Sequence, residues 1–257
     1  MTPVIYPEEA KKYGCSLKNG KCIIGLNLRA GRWVGADYWE SCKDPQPVNL
    51  DRILSECEVV EVGIDGGGLE DLLGLAVAGR VKDSQKWMHW SHAWAHDSVF
   101  ERHKQIAPRL RDFQKDGDLT IVERMGQDVE AVAQICAQVN DSGLLDRIGV
   151  DPHGLGGILE ALEAEGIPQE KIIGISQGWK LTSAIKTTER KLAEGQLVHG
   201  GQALMAWCVS NAKVEPRGNA IAITKQGSGA AKIDTLLATF NAVSLLALNP
   251  AAATTSF

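Results

Sequence analysis

A chain of 257 residues that is 44% apolar can bury one large core or two modest ones, and one globular domain with a short appendage is the expected organisation. The net charge of −5 excludes a uniformly basic nucleic-acid coat protein, although Lys171 to Lys232 carry nine basic residues against three acids, so one part of an acidic molecule can face a polyanion. No apolar run approaches the roughly 18 residues of a membrane span, and the opening MTPVIYPEEAKKYG lacks the charged-then-apolar layout of a signal peptide, so the expected setting is the cytoplasm, with no membrane partner.

In chain order, residues 1–58 read as a lead-in without its own core: the short apolar segment KCIIGLNL, then GADYWESCKDP and VNLDRILSEC, each suited to a short helix. The pattern tightens at Val59. VVEVGID reads as a strand, three glycines as a turn, DLLGLAVAGRV as a second strand and QKWMHWSHAWAH as a third, together an antiparallel meander. Asp97 to Gln114 has helical spacing, DLTIVE suits a short strand, and Val129, Val132, Ala133, Cys136 and Val139 share one helix face. DRIGVD is a buried strand ending in Asp151, followed by GLGGILEALEAEGI as a helix, KIIGIS as a strand and Lys180 to Glu194 as a helix. AKVEPRGNAIAITKQG reads as two short strands about a turn. In the terminal helix AKIDTLLATFNAVSLLAL, an apolar stripe of Ile233, Leu236, Leu237, Phe240, Val243 and Ala247 is expected to face the sheet. The fold class is therefore α/β, a mixed sheet of five or more strands flanked by helices, with a domain over 59–248 and a disordered tail over 249–257. The six cysteines form no Cys-x-x-Cys pair and no zinc spacing, and read as free thiols.

The glycine-rich stretch GIDGGGLEDL invites a nucleotide-binding reading, which the spacing rejects. Counting from Gly66, the third glycine of a dinucleotide fingerprint would fall on Asp71, and no Gly-Lys-Ser or Gly-Lys-Thr exists anywhere for a phosphate loop. The carboxylates suggest other chemistry. Asp65 ends one apolar strand, Asp151 ends another, and Asp234 lies in the first turn of a helix bound to the same sheet. If those strands are neighbours, three like charges converge, an arrangement that divalent cations relieve. Spacing alone leaves alternatives open: Asp65 as cap of the glycine turn, Asp151 as turn former before Pro152, Asp234 as an ordinary first-turn acid, and Asp71 as a turn-closing residue.

Several stretches together resemble the nuclease half of the large terminase subunit of tailed bacteriophages. LNLRAGRWVGADYWESCKDP is similar to that family's linker, VGIDGGGLEDLLGLAV to its first hairpin, IGVDPHGLGGILEALEAEGI to its central acidic strand and helix, and LVHGGQALMAWCVSNAKVEPRGNAIAITKQGSGAAKIDTLLATFNAV to its closing stretch. The resemblance implies an RNase H-like fold and a metal-dependent DNA endonuclease that cuts concatemeric viral DNA. It implies two divalent cations, Mg²⁺ or Mn²⁺, held by Asp65, Asp151 and Asp234, with Asp71 as a fourth candidate. On this reading Lys225 and Lys232 hold phosphates near the site while Lys213 and Arg217 track the duplex, although solubilising lysines look the same in sequence. An aromatic commonly follows the proline after the family's central acid; here His153 stands there, a candidate phosphate or water contact or simply a surface residue. Implied partners are double-stranded DNA, a terminase ATPase domain, the small terminase subunit and the portal. The family's proteins begin with an ATPase domain that this sequence lacks, so an isolated domain or a separately encoded nuclease is expected. The competing expectations are a non-cutting remnant that grips DNA or the portal, and another RNase H-like nuclease such as a junction resolvase or RNase H.

Overall fold

The protein's computed structural model describes residues 16–18, 21–23, 31–153, 156–225 and 231–253. Within a unit ending at Arg32, β1 (Ser16–Lys18) pairs antiparallel with β2 (Lys21–Ile23). The second unit opens at Trp33, earlier than the expected boundary at residue 59. Trp33 is 0% exposed and meets Phe240 edge-on at 5.4 Å, while Trp39, beyond α1 (Gly35–Tyr38), stacks on His199 at 3.8 Å. α2 (Leu50–Glu56), capped by the Asn49 side chain on the Arg52 amide, buries Leu50 and Ile53. The segment from Trp33 to Glu56 thus joins the core of the second unit through its two tryptophans together with Leu50 and Ile53.

The meander forms as expected: β3 (Cys57–Gly66), β4 (Leu73–Val81) and β5 (Trp87–His96) are successive antiparallel neighbours. The polar stretch after it breaks into α3 (Ser98–Arg102) and α4 (Ala107–Lys115), the second with Pro108 in its first turn. β6 (Leu119–Val122) pairs parallel with β5, and α5 (Gln127–Asp141) carries the predicted apolar face. β7 (Leu145–Val150) pairs parallel with β3; α6 (Gly156–Ala164) follows, and β8 (Ile172–Gly174) pairs parallel with β7. α7 (Thr182–Ala193), β9 (Leu197–His199) and α8 (Ala203–Asn211) come next, with β9 parallel to the start of β5. β10 (Ala212–Arg217) and β11 (Ala220–Lys225) make a separate hairpin before α9 (Asp234–Leu246). The result is a seven-stranded mixed sheet, β6-β5-β4-β3-β7-β8 with β9 also on β5. Among the described residues no helix is long and apolar enough to cross a membrane.

Alternation along β3 divides two cores. Val60, Val62 and Ile64 face α5 and α6, whereas Val59 belongs to the cluster that holds Trp33, Phe240 and the side chains of α7 and α8. The odd-numbered face of β3 lies under α9, which is buried on nearly every side rather than along one stripe; Ala247, expected in that stripe, is exposed. Three strand glycines permit this close approach. A Cβ on Gly63 would lie 1.9 Å from the Ala238 carbonyl oxygen, one on Gly74 2.8 Å from the Thr235 nitrogen, and one on Gly149 2.8 Å from the Asn241 oxygen. Asn249 Oδ1 and the Pro250 carbonyl accept hydrogen bonds from Arg80, and the Ala253 amide donates to Glu58, so the first residues of the expected tail are pinned to the sheet; residues 254–257 lie outside the described residues.

Candidate active site

The C-terminal ends of the two parallel central strands meet the N-terminus of α9. Asp65 is the penultimate residue of β3, Asp151 directly follows β7, and Asp234 opens α9. Gly66, Gly67 and Gly68 turn the chain away with φ of 86°, 110° and 98°, a backbone that a side chain would strain. A Cβ on Gly66 would sit 2.2 Å from the Leu72 carbonyl and 3.1 Å from Asp234 Oδ1, so the bare turn leaves room for the aspartate beneath it. Asp65, Asp71, Asp151, Asp234, His153 and Lys225 all line one cavity of about 540 Å³.

Their electrostatic state follows from crowding. Burial, then the carboxylates of Asp234, Asp151 and Asp71, push Asp65 well above the ordinary carboxylate range, with Lys225 opposing. Asp234, 3% exposed, is pushed up to about 7 by burial and by Asp71, while Lys225 and Lys232 pull it back. Its Oδ2 is buried without a hydrogen-bond partner. Asp71 behaves oppositely: burial would raise it, but hydrogen bonds from Lys232 (2.6 Å) and Lys225 (2.9 Å) hold it below the usual value. Burial works against the Lys225 ammonium, yet the facing carboxylates of Asp234, Asp71 and Asp65 keep its pKa raised.

Lys232 corrects a sequence expectation. It is 3% exposed, and its Nζ donates to Asp71 and to the Glu70 carbonyl, so it braces the turn from below instead of facing a phosphate. Lys232→Met is expected to destabilise the metal-free protein by about 2 kcal/mol in urea denaturation at neutral pH, because it removes a cation from among buried acids. Lys213 and Arg217 sit exposed on the separate hairpin, away from the cavity lining; Arg217 pairs with Glu215. His153 is exposed at the rim, its backbone amide donating to Asp151 Oδ1. Asp128 was not foreseen. It is buried at the start of α5, 3.6 Å from His96 Nε2, and lines the same cavity, but in sequence it looks like any first-turn acid. Asn241 was also missed: its Nδ2 donates to the Ile64 carbonyl just before Asp65, and Gln177 donates to its Oδ1.

Clustered carboxylates, with Asp65 and Asp234 raised in pKa and one buried Asp234 oxygen orphaned, are the donor chemistry of a hard divalent cation. Among the described residues, however, no three acid, histidine or cysteine side chains already stand at metal-ligand spacing. Asp71 is engaged by two lysines, and one oxygen of Asp151 accepts the amide of its own turn.

Comparison with solved structures gives a match to the HK97 bacteriophage large terminase at 21% identity and TM-score 0.68, over 87% of this chain and 46% of that one. This chain thus spans about half the length of that terminase. The large terminase nuclease of thermophilic phage G20c matches with a TM-score of 0.53 at 14% identity, over 84% of this chain and 98% of that one. The same nuclease solved with bound magnesium matches with a TM-score of 0.51 at 15% identity, over 82% and 95%. These likenesses establish the fold, which is RNase H-like as expected. No curated protein sequence matches. The model of the terminase large subunit, endonuclease domain, matches residues 28–249 and takes in every element from α1 to α9, and the chain belongs to that family.

Proposed function

We propose that this chain is a divalent-metal-dependent endonuclease that cuts double-stranded viral DNA, as concatemers, during packaging. Asp65, Asp151 and Asp234 would hold two cations, Mg²⁺ or Mn²⁺, with Asp71 available as a further ligand. Bound there, the ions would supply Lewis acidity to activate a water and stabilise the leaving oxygen of a phosphodiester. The observation that carries the reading is the convergence of the aspartates on one cavity with Asp234 Oδ2 unpartnered. Asn241 and Gln177 hold the end of β3, so the Asp65 carboxylate is presented by a fixed backbone. The glycine turn has no side chains to obstruct the sugar-phosphate chain, and Lys225 at the cavity wall offers a phosphate contact once released from Asp71. Lys213, Arg217 and His153 serve as outer backbone contacts. By family membership the wider partners are a terminase ATPase domain, the small subunit and the portal, in the host cytoplasm.

Incubating supercoiled plasmid with the purified chain and Mn²⁺ or Mg²⁺ tests this: nicking or linearisation that EDTA stops is expected, and full activity in EDTA sinks the reading. A second reading, a domain that grips DNA without cutting, draws on the lack of ready-made three-ligand spacing among the described residues. It gains if cleavage is absent across metals while salt-sensitive DNA binding persists. Four-way junctions and RNA/DNA hybrids as parallel substrates separate the remaining RNase H-like activities.

A further inference from the structure

The two strands that deliver Asp65 and Asp151 are not paired in simple register. Val60 stands opposite Leu145 and Val62 opposite Ile148, so the single residue Glu61 faces two, Asp146 and Arg147. β7 therefore carries a bulge, an uncommon feature between parallel strands. Its effect is large. Leu145, Ile148 and Val150 all face the α5–α6 core, which puts Gly149 and the following Asp151 on the α9 side with Asp65. Were β7 paired without the extra residue, Asp151 would move by one position, about 3.3 Å, and its side chain would change face.

A bulge leaves backbone groups without ladder partners. Here Glu61 Oε2 accepts the Arg147 amide at 2.9 Å. Glu61 is 0% exposed, lies on the α9 face of β3 four residues before Asp65, and has no part in the cavity. We infer that Glu61 is a positioning residue: its carboxyl holds the β7 bulge and so sets the strand offset that brings Asp151 beside Asp65. The inference rests on the endonuclease reading for its consequence, though not for its geometry.

Burial, then the neighbouring Asp146, push the Glu61 carboxyl up to about 9, with Arg147 opposing. The charged groups facing it are those two residues of β7, since α9 has no titratable side chain beyond Asp234. At neutral pH Glu61 is thus a protonated acid with one accepting oxygen in use, and glutamine reproduces that group. Its other oxygen, Oε1, makes no hydrogen bond of ordinary geometry, and the adjacent Asp146 carboxylate is the acceptor that favours a proton on Glu61.

The test compares wild type, E61Q and E61L as full chains, with three readouts: hydrogen exchange at the Arg147 amide, Mn²⁺ affinity, and plasmid cleavage. In E61Q all three should stay within about threefold of wild type. In E61L, which keeps the volume but not the acceptor, the Arg147 amide should lose protection, and Mn²⁺ affinity and cleavage should fall by about 10-fold to 100-fold, the range seen when supporting partners of metal ligands are removed. A folded E61L with wild-type affinity and cleavage overturns the inference, and so does an E61Q that loses Arg147 protection, an outcome readable even if E61L does not fold. If the wild type itself neither binds Mn²⁺ nor cleaves, the endonuclease reading falls, and Arg147 protection across the variants still decides whether Glu61 holds the bulge.

Discussion

Asp65→Asn is expected to reduce metal-dependent cleavage by about 10³-fold or more while raising the melting temperature of the metal-free protein at neutral pH. The two effects have one cause. Asp65 is 6% exposed and faces the carboxylates of Asp234, Asp151 and Asp71, so its folded-state pKa lies well above that of the unfolded chain. A raised carboxylate pKa means that the folded protein holds more protons than the unfolded one between the two values, so stability falls as pH rises through that window. For Asp234 the window runs from 3.8 to about 7. Melting temperatures of the metal-free wild type should therefore decline from about pH 5 to about pH 8, and less steeply in Asp65→Asn. Mn²⁺ should reverse the decline in wild type only, since cations bind the deprotonated carboxylates and displace their protons. A variant that loses stability in proportion to its activity would mean that Asp65 is structural.

Gly63→Ala carries the largest expected effect on stability. The added methyl would meet the Ala238 carbonyl oxygen at 1.9 Å and the Ala242 nitrogen at 2.6 Å, both backbone atoms of a helix that cannot rotate aside. α9 would have to lift from β3, at a cost of about 3 kcal/mol or more. Asp234 rides on the first turn of that helix, so whatever protein remains folded should also cleave poorly. Gly157→Ala, with nothing within 4 Å of its Cβ, is the control and should be neutral or slightly stabilising in the same urea titration. A tolerated Gly63→Ala would show that the helix sits on the sheet less rigidly than its backbone contacts imply.

Residues that punctuate regular elements were legible in the sequence. Asp65 and Asp151 close apolar strands and Asp234 opens a helix, so element ends marked them as candidates, the resemblance chose among the alternatives that spacing left open, and all three line the one cavity. Elements without periodicity were not legible. α8, ALMAWCVSN, is apolar on nearly every side and shows no helical stripe, and β9 has only three residues and takes its partner from the distant β5. Lys232 was expected to meet a phosphate because sequence does not reveal that the turn above it closes over its side chain. The β7 bulge was equally silent, since LDRIGV reads as a plain strand until its partner is known. The strand glycines at 63, 74 and 149 did carry a signal, the mark of close backbone approach, that could have predicted where the last helix lies.

α9 is the last helix of the described residues, yet it covers the glycines at the centre of the sheet and supplies Asp234. During synthesis the meander and β7 leave the ribosome many seconds earlier, with Asp65 and Asp151 in place but their shared face bare. On the proposed endonuclease reading, a nascent chain accordingly lacks a complete acidic site until α9 is added. The sheet face that α9 covers stays bare until that helix docks, so aggregation is expected to be favoured in that interval.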